Sequence, residues 1–552
     1  MHHKHSFGTY QAVIDQAVEQ LRSDRIIERI WDHDHTVWKD SENEITNRLG
    51  WLHSPEVMLE HVPRLKIFTD EVRDEGFTHA LLMGMGGSSL APEVFRNVFG
   101  IKEGYLDFEV LDSTDPAAVL AAEARHDPQK TLYIVATKSG GTVETFSFFK
   151  HFFNQASKVL GIDKVGQHFV AITDPGSGLV DMANELKFRE IFLNDPNIGG
   201  RYSSLSFFGM LPAALLGIDI ETLLARAKAA AENHIGVEDG VVIGTLASQG
   251  RDKLTLVGST TMKLLEPWVE QLVAESLGKE GKGVLPVNNE PLSASEVYGD
   301  DRFFIHSTLR DEPSKNADSL ETPSKAGHPI SHFELEDRYD LGAEMFRWEM
   351  ATVIAGHLLK INPFDQPNVE SAKVLARNMV SAYHDEGELP KLTPTLEQNG
   401  IQAFSDIEAK NIKTLLHQFL SQSQAGDYLC IQAYVHASEA HIHVLEAWRV
   451  QMRDQYQFAT TLGFGPRFLH STGQLHKGDR GNGLFIQITC DDTQDIAIPD
   501  KAGQAESSMS FGVLKAAQAL GDRQALLDAG RRVIRFHVGA DVLAGINTLK
   551  SL

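Results

Sequence analysis

The chain has 552 residues, too many for one hydrophobic core, and its 42% hydrophobic and 23% charged content is that of a soluble globular protein with two large domains, or two and a smaller third. With 51 Lys and Arg against 75 Asp and Glu, the net charge of −24 argues against nucleic acid or an anionic membrane as the main partner, so an anionic ligand would need local cations. Two cysteines make no disulfide framework, MHHKHS lacks a signal-peptide core, and the longest apolar stretch, near Phe207 to Ile218, is too short to span a bilayer; a reducing cytoplasm is expected.

The MHHKH start reads as a mobile tail. From about Tyr10 to Arg73 the pattern is amphipathic helix, with IIERIW (Ile26 to Trp31) and NRLGWL (Asn47 to Leu52) as apolar faces, giving a helical arm over 1–75. From Thr78 the runs THALLMG, LDFEVLDS, TLYIVAT, QHFVAIT and FREIFLN alternate with helical patterns and end in turns bearing Gly, Ser, Asp or Pro. Such alternation implies parallel βαβ units, hence a doubly wound sheet with ligands beyond the strand C-termini, over 76–235. LTLVGS, GVLPV, RFFIHST and HPISHFEL repeat the pattern and predict a second α/β domain over 236–385. From 386 to 552, helices mix with two β-rich runs, YLCIQAYV and GLFIQITC, and predict a third region packed on the others.

Two turns in the first series are sized for phosphate: GMGGSSLAP (Gly84 to Pro92) and ATKSGGTVET (Ala136 to Thr145). Each follows an apolar strand and opens a helix, where unsatisfied N–H groups and the positive dipole end converge. Gly84, Gly86 and Asp112 also fit part of a dinucleotide fingerprint, although Ser89 takes the third glycine position, and a plain tight turn fits as well. Thr137, Ser139 and Thr142 surround Gly140 and Gly141 with hydroxyls, and Lys138 adds charge; the alternative is a Ser/Gly turn capping a helix.

Further along, Pro267 kinks or restarts a helical pattern over about Thr261 to Leu277. At about 100° per residue, Leu264, Leu265, Leu272, Gln271 and Glu275 fall within roughly 60° of Trp268, so an amide and a carboxylate occupy the apolar stripe. Partial burial and the negative dipole end near Gly278 both disfavour the charged form of Glu275, the direction useful to a general base; a structural ion pair with Lys279 or Lys282 is the alternative. After INPFDQPNVESAK, Lys373 shares a stripe with Val369, Ala376, Val380 and Tyr383, with Pro367 suited to the first helical position and Gln366 at the mouth; snorkelling would also explain Lys373. In GGRYSSLS, Arg201 follows two glycines and precedes a helix with Ser203 or Ser204 as cap, placed to reach over a ligand unless it is a surface arginine. GFGPRFLHSTGQLHKG carries His470 and His476, loop histidines able to titrate near neutrality, and no ligand set matches a zinc pattern.

GMGGSS, TKSGGTVET, NIGGRYS, EQLVAESLGKEGKG and INPFDQPNVESAK, in this order, resemble the glucose-6-phosphate isomerase family, from about residue 45 to the end. GFGPRFLHSTGQLHKG is similar to the isomerase half of bifunctional transaldolase/glucose-6-phosphate isomerases, while the length leaves no room for a transaldolase barrel of about 250 residues. The resemblance implies two doubly wound sugar-isomerase (SIS) domains and a metal- and cofactor-independent, cytoplasmic aldose–ketose isomerase acting on glucose 6-phosphate and fructose 6-phosphate. It implies that Gly87 and Ser88 contact sugar hydroxyls or phosphate, and that Thr137, Lys138, Ser139 and Thr142 hold the 6-phosphate. Glu275 would move the proton between carbons 2 and 1 through a cis-enediol(ate), Gln271 would orient the sugar, and Arg201 would stabilise the enediolate. Lys373 and a histidine would assist ring opening, with Gln366 near the phosphate end. In the usual family pattern that histidine precedes the FDQ motif and comes from the neighbouring subunit, which implies a homodimer with shared sites. Here the similar segment follows about a hundred residues later, and His470 is chosen with His476 in reserve. Related readings are an isomerase that also accepts mannose 6-phosphate, a non-catalytic sugar-phosphate binder and an NAD-dependent dehydrogenase.

Overall fold

The computed structural model describes residues 2–312 and 323–552. The chain opens with strand β1 (His2–Ser6), which pairs antiparallel with a strand of the second sheet, so the expected mobile tail is instead an edge strand. The reason is tertiary: the strand it meets, Ile330–Leu335, would otherwise be an open edge with unpaired backbone groups. A helical arm follows, dominated by the helices Gln11–Ser23 and Ser54–Asp74.

The first sheet holds β2 (His79–Gly84), β3 (Asp107–Leu111), β4 (Thr131–Ala136), β5 (Phe169–Thr173) and β6 (Glu190–Leu193), all parallel, in the order β3-β2-β4-β5-β6. Successive residues feed opposite cores, as the period of two requires for strands buried on both faces. Ala80, Leu82, Ile134 and Ile172 join the core shared with the arm, whereas Leu81, Met83, Tyr133 and Ala171 meet Phe148, Phe149, Phe152 and Phe153 of the helix Val143–Leu160. Strand order reverses between β2 and β4, and both glycine-rich turns leave these two neighbouring strands, at the switch point where a doubly wound sheet opens a crevice.

The second sheet places β7 (Lys253–Gly258), β8 (Leu285–Val287), β9 (Arg302–Leu309) and β10 (Ile330–Leu335) in the order β1-β10-β9-β7-β8, parallel apart from β1. The segment after residue 386 carries more strand than the two runs visible in the sequence. Its sheet is β11-β12-β18-β15-β13-β14, built from β11 (Leu396–Gln398), β12 (Ile401–Phe404), β13 (Tyr428–Tyr434), β14 (Ala459–Phe464) and β15 (Gly483–Thr489). A small hairpin of β16 (Ala497–Ile498) and β17 (Met509–Ser510) precedes its last strand, β18 (Arg532–His537). β13, β14, β15 and β18 run parallel, so this lobe is a third α/β layer with its own core around Leu429, Ile431, Ile486, Ile534 and Trp448. It is fastened to both other domains: Arg449 Nη2 donates to the Asn288 carbonyl at 2.7 Å, and Lys515 Nζ to Asp115 Oδ2 at 2.9 Å. Its helix Phe511–Asp528 also packs so closely on the helix Val369–Glu386 that a Cβ at Gly521 would lie 2.7 Å from Ala376 N.

Candidate active site

The turn after β4 is shaped by its hydroxyls and by one glycine. Thr137 Oγ1 and Thr142 Oγ1 lie 3.0 Å apart, and Thr173 Oγ1 donates to the Thr137 carbonyl at 2.7 Å. Gly140 has φ +63°, and a Cβ there would meet Leu179 N and Ser177 Cβ at 2.9 Å, so only glycine lets the turn pack. Thr142 is the N-cap of the helix Val143–Leu160 without a side-chain capping bond, and Ser139 is exposed beside it. Lys138 turns the other way: its ammonium pairs with Asp174 and donates to the Pro196 carbonyl at 3.0 Å.

At the β2 turn the glycines admit close approach of other protein segments. A Cβ on Gly86 would lie 2.8 Å from Gln271 Nε2 and 2.9 Å from the His470 carbonyl, and one on Gly87 would lie 1.9 Å from the Gly200 carbonyl. Gln271, His470 and the Gly200–Arg201 segment thus pack close against this turn, which disfavours the approach of a pyrophosphate to its glycines. Ser88 is half-buried next to them.

The helical pattern over 261–277 resolves into a short 3-10 turn, Met262–Leu265, and an α-helix, Glu266–Leu277, that restarts with Pro267 in its first turn. Gln271 is 3% exposed, and its Nε2 donates to the His470 carbonyl at 2.7 Å and to Glu275 Oε2 at 3.2 Å. The other oxygen of Glu275 lies 3.3 Å from Arg201 Nη1, with the side chain 14% exposed. The partner of this carboxylate is thus Arg201, not Lys279 or Lys282: Lys279 is bound to Asp365 and Lys282 Nζ donates to the Leu359 carbonyl at 2.7 Å.

Arg201 is 4% exposed, far from a surface arginine. Its Nε donates to Ser276 Oγ at 2.7 Å, Nη2 to the carbonyls of Pro363 at 2.7 Å and Asp365 at 3.0 Å, and Nη1 to Gln366 Oε1 at 2.9 Å. Only the Nη1 edge faces the Glu275 side; Nη2 holds backbone and Nε the Ser276 hydroxyl. The following helix is capped by Ser206, whose Oγ accepts from Phe208 N at 3.4 Å, in place of Ser203 or Ser204.

A cleft of about 640 Å³ opens beside this cluster, lined by Ser139, Thr142, Glu144, Lys373, His470 and Gln518 among others. Most of the stripe read from sequence faces it: Val369, Lys373, Ala376 and Val380 line the wall, while Tyr383 does not. Lys373 is exposed and sits 4.0 Å from Glu370, on a helix that begins at Val369 with Asn368 as N-cap, two residues after Pro367. Arg201, Gln271 and Glu275 are not among the cleft's lining residues; they adjoin it at His470, whose carbonyl accepts from Gln271 Nε2, and the Glu275 side chain keeps some exposure. The two histidines separate cleanly. His470 is 16% exposed on its side chain and its Nε2 lies 2.9 Å from Glu144 Oε1, whereas His476 is fully buried, with burial driving its pKa well below the usual imidazole value.

Glu144 is the residue that sequence reading missed. Burial opposes its charge, but the potential and hydrogen bond of His470, with Lys373 adding, outweigh burial and hold its carboxyl below the ordinary range; Gln518 Nε2 also donates to it at 2.7 Å. Its sequence signal, an acid in the first turn of the helix at TVET, looks like an ordinary dipole partner.

Residues 54–243 match the family model for phosphoglucose isomerase. The chain is 32% identical over 350 residues to a protein of Thermosynechococcus vestitus named glucose-6-phosphate isomerase, covering 54% of this chain and 65% of that one. A protein of the same name from Rubrobacter xylanophilus is 28% identical over 382 residues, 59% of this chain and 87% of its own length. Over this part of its length the chain is similar to phosphoglucose isomerases. Two solved structures share the fold: a hypothetical protein of Thermus thermophilus, with TM-score 0.58, 23% identity and coverage of 68% of this chain and 99% of that one, and a glucose-6-phosphate isomerase of Chlamydia trachomatis, with TM-score 0.55, 18% identity and coverage of 68% and 87%. The phosphoglucose isomerase match takes in both glycine-rich turns and Arg201 but stops before Glu275, Lys373 and His470.

Proposed function

We propose that this protein is a glucose-6-phosphate isomerase, interconverting glucose 6-phosphate and fructose 6-phosphate in glycolysis and gluconeogenesis. One observation supports this reading above the rest. An unbroken set of contacts, Arg201–Glu275–Gln271–His470–Glu144, ties a carboxylate base to a histidine–carboxylate pair at the rim of the hydroxyl-lined turn.

In this reading Ser139, Thr137 and Thr142 receive the 6-phosphate at the N-terminus of the helix Val143–Leu160, with Lys373 supplying the charge that Lys138 commits to Asp174. Gly87 and Ser88 border the sugar hydroxyls. His470, oriented by Glu144, and Lys373 exchange protons with the ring oxygen and the carbon 1 hydroxyl as the ring opens. Glu275 takes the proton from carbon 2 and returns it to carbon 1. Gln271 fixes the carboxylate's direction, and the Nη1 edge of Arg201 faces the charge that builds on the enediolate oxygens, with Gln366 beside it. No step calls for a metal or cofactor.

The homodimer with shared sites that the resemblance implies is not required by this arrangement, because His470 reaches Gln271 and Glu144 from the same chain. A cytoplasmic location is consistent with the absence, among the described residues, of any helix long and apolar enough to cross a membrane. The test is a coupled assay in both directions together with deuterium uptake from solvent at carbon 2. An active protein gives both signals; phosphate-sugar binding with neither signal would reduce it to a binder, and turnover of mannose 6-phosphate in the same assay would widen the substrate range.

A further inference from the structure

The segment 361–368 is held by all three lobes. Arg201 of the first binds the carbonyls of Pro363 and Asp365, and the hydroxyl of Tyr202 reaches the Pro363 carbonyl at 3.3 Å. From the third, Gln474 Oε1 accepts from Asn368 N at 2.8 Å, while its Nε2 donates to the Gly278 carbonyl at 3.0 Å. The second lobe contributes Lys279, which lies just past the end of the helix that carries Gln271 and Glu275.

Lys279 has no exposed surface, yet nothing in the proton transfer uses it. Its ammonium donates both to the Asp365 carbonyl and, at 2.9 Å, to Asp365 Oδ1. Two cations, Lys279 and Arg201, therefore converge on a single peptide oxygen. Burying a second positive charge beside a guanidinium is costly, and burial first, then Arg201, pushes the Lys279 amine down to about 7 against the pull of Asp365 and Glu275. An ordinary turn would be held by a neutral donor at less cost, so the expensive arrangement points to geometry that matters to the site.

We propose that Lys279 is a positioning residue for proton transfer: by pinning the Asp365 peptide it sets Gln366 and the guanidinium of Arg201 at the distances from which they face Glu275. The inference rests on the isomerase reading. Without Lys279 the Asp365 carboxylate, about a third exposed, is free to swing to solvent, and the Asp365 carbonyl keeps only the 3.0 Å bond from Arg201. Gln366 is the next residue, so rotation of that peptide moves its amide, which shares Arg201 Nη1 with Glu275. The phosphate turn belongs to another strand and stays in place. The loss should therefore fall on kcat, with substrate binding spared.

The experiment compares native protein with Lys279→Met, Lys279→Arg and Asp365→Ala, measuring kcat per folded chain, KM for fructose 6-phosphate and calorimetric affinity for the same sugar. Lys279→Met should lower kcat by about 10- to 100-fold with KM and affinity within about threefold. Lys279→Arg, which keeps charge and donors, should recover a large part of that loss, and Asp365→Ala should give a smaller fall of the same kind. If Lys279→Met does not fold, Asp365→Ala and Lys279→Arg still decide. A merely structural lysine would cut the folded fraction and leave kcat per folded chain unchanged in all three, and that result would overturn the proposal. Native protein inactive on both sugars would instead overturn the isomerase reading, and this inference with it.

Discussion

Replacing Glu275 with Gln removes one charge and one hydrogen-bond acceptor. The side chain keeps its shape and its contact with Gln271 Nε2, 3.2 Å away, but gives up the ion pair at 3.3 Å with Arg201. At that distance and an effective dielectric near 20 the Coulomb attraction is about 5 kcal/mol, most of it offset by the desolvation of both charges, so a stability loss of about 1–2 kcal/mol is expected. Activity should suffer far more. Loss of a positioned general base costs about 10²- to 10⁴-fold, or roughly 3–5.5 kcal/mol of transition-state stabilisation. The assay is deuterium incorporation at carbon 1 of fructose 6-phosphate in D2O, followed by NMR, beside calorimetric binding of the same sugar. Binding should persist, since the hydroxyl-bearing turn sits on β4 and not on the helix of Glu275. Exchange within threefold of native, in protein shown to be folded, would refute the assignment of the base.

Mixing Glu275→Gln chains with His470→Ala chains tests where the histidine comes from: sites shared between subunits would return up to about a quarter of native activity through mixed dimers, whereas the single-chain geometry predicts no recovery. Gly87→Ala should abolish activity, its Cβ falling 1.9 Å from the Gly200 carbonyl, while Gly141→Ala, whose nearest neighbour is Ser139 Oγ at 3.8 Å, should retain most of it. Glu144→Gln should slow turnover of the cyclic sugar by about tenfold with little change in KM, through loss of the charge that orients His470; an unchanged rate would detach this pair from ring opening. Stability carries its own pH signature. Burial raises Glu266 to about 7, so between its unfolded value of 4.5 and 7 the native state binds the extra proton and stability falls as pH rises, by up to roughly 1.4 kcal/mol per pH unit from this group. Urea titrations at pH 5 and 7 should show a flatter dependence in Glu266→Gln than in native protein, and identical slopes would show that this group does not contribute.

Local chemistry made much of this protein readable from its residues. Apolar runs such as LYIVA, too short for helices, followed by glycine-rich turns and alternating with helices, point to a parallel sheet, and the turns then fall at its C-terminal edge. The helical stripe of Trp268, Gln271, Leu272 and Glu275 likewise follows from the 3.6-residue period alone. Where reading stopped, the cause was contact between segments far apart in the chain. β1 is a strand only because β10 offers it an edge, and of the third sheet only β13 and β15 were visible, because β14 and β18 become strands by pairing with them. The ion pair of Glu275 was placed on nearby lysines because sequence shows neighbours, while Arg201, from 74 positions earlier, arrives through the fold. Packing decides which histidine faces the cleft, that Lys138 turns to Asp174, that Glu144 meets His470 and that Lys279 meets Asp365. A side chain's periodicity fixes the face it occupies, but only the meeting of three lobes determines what stands opposite that face.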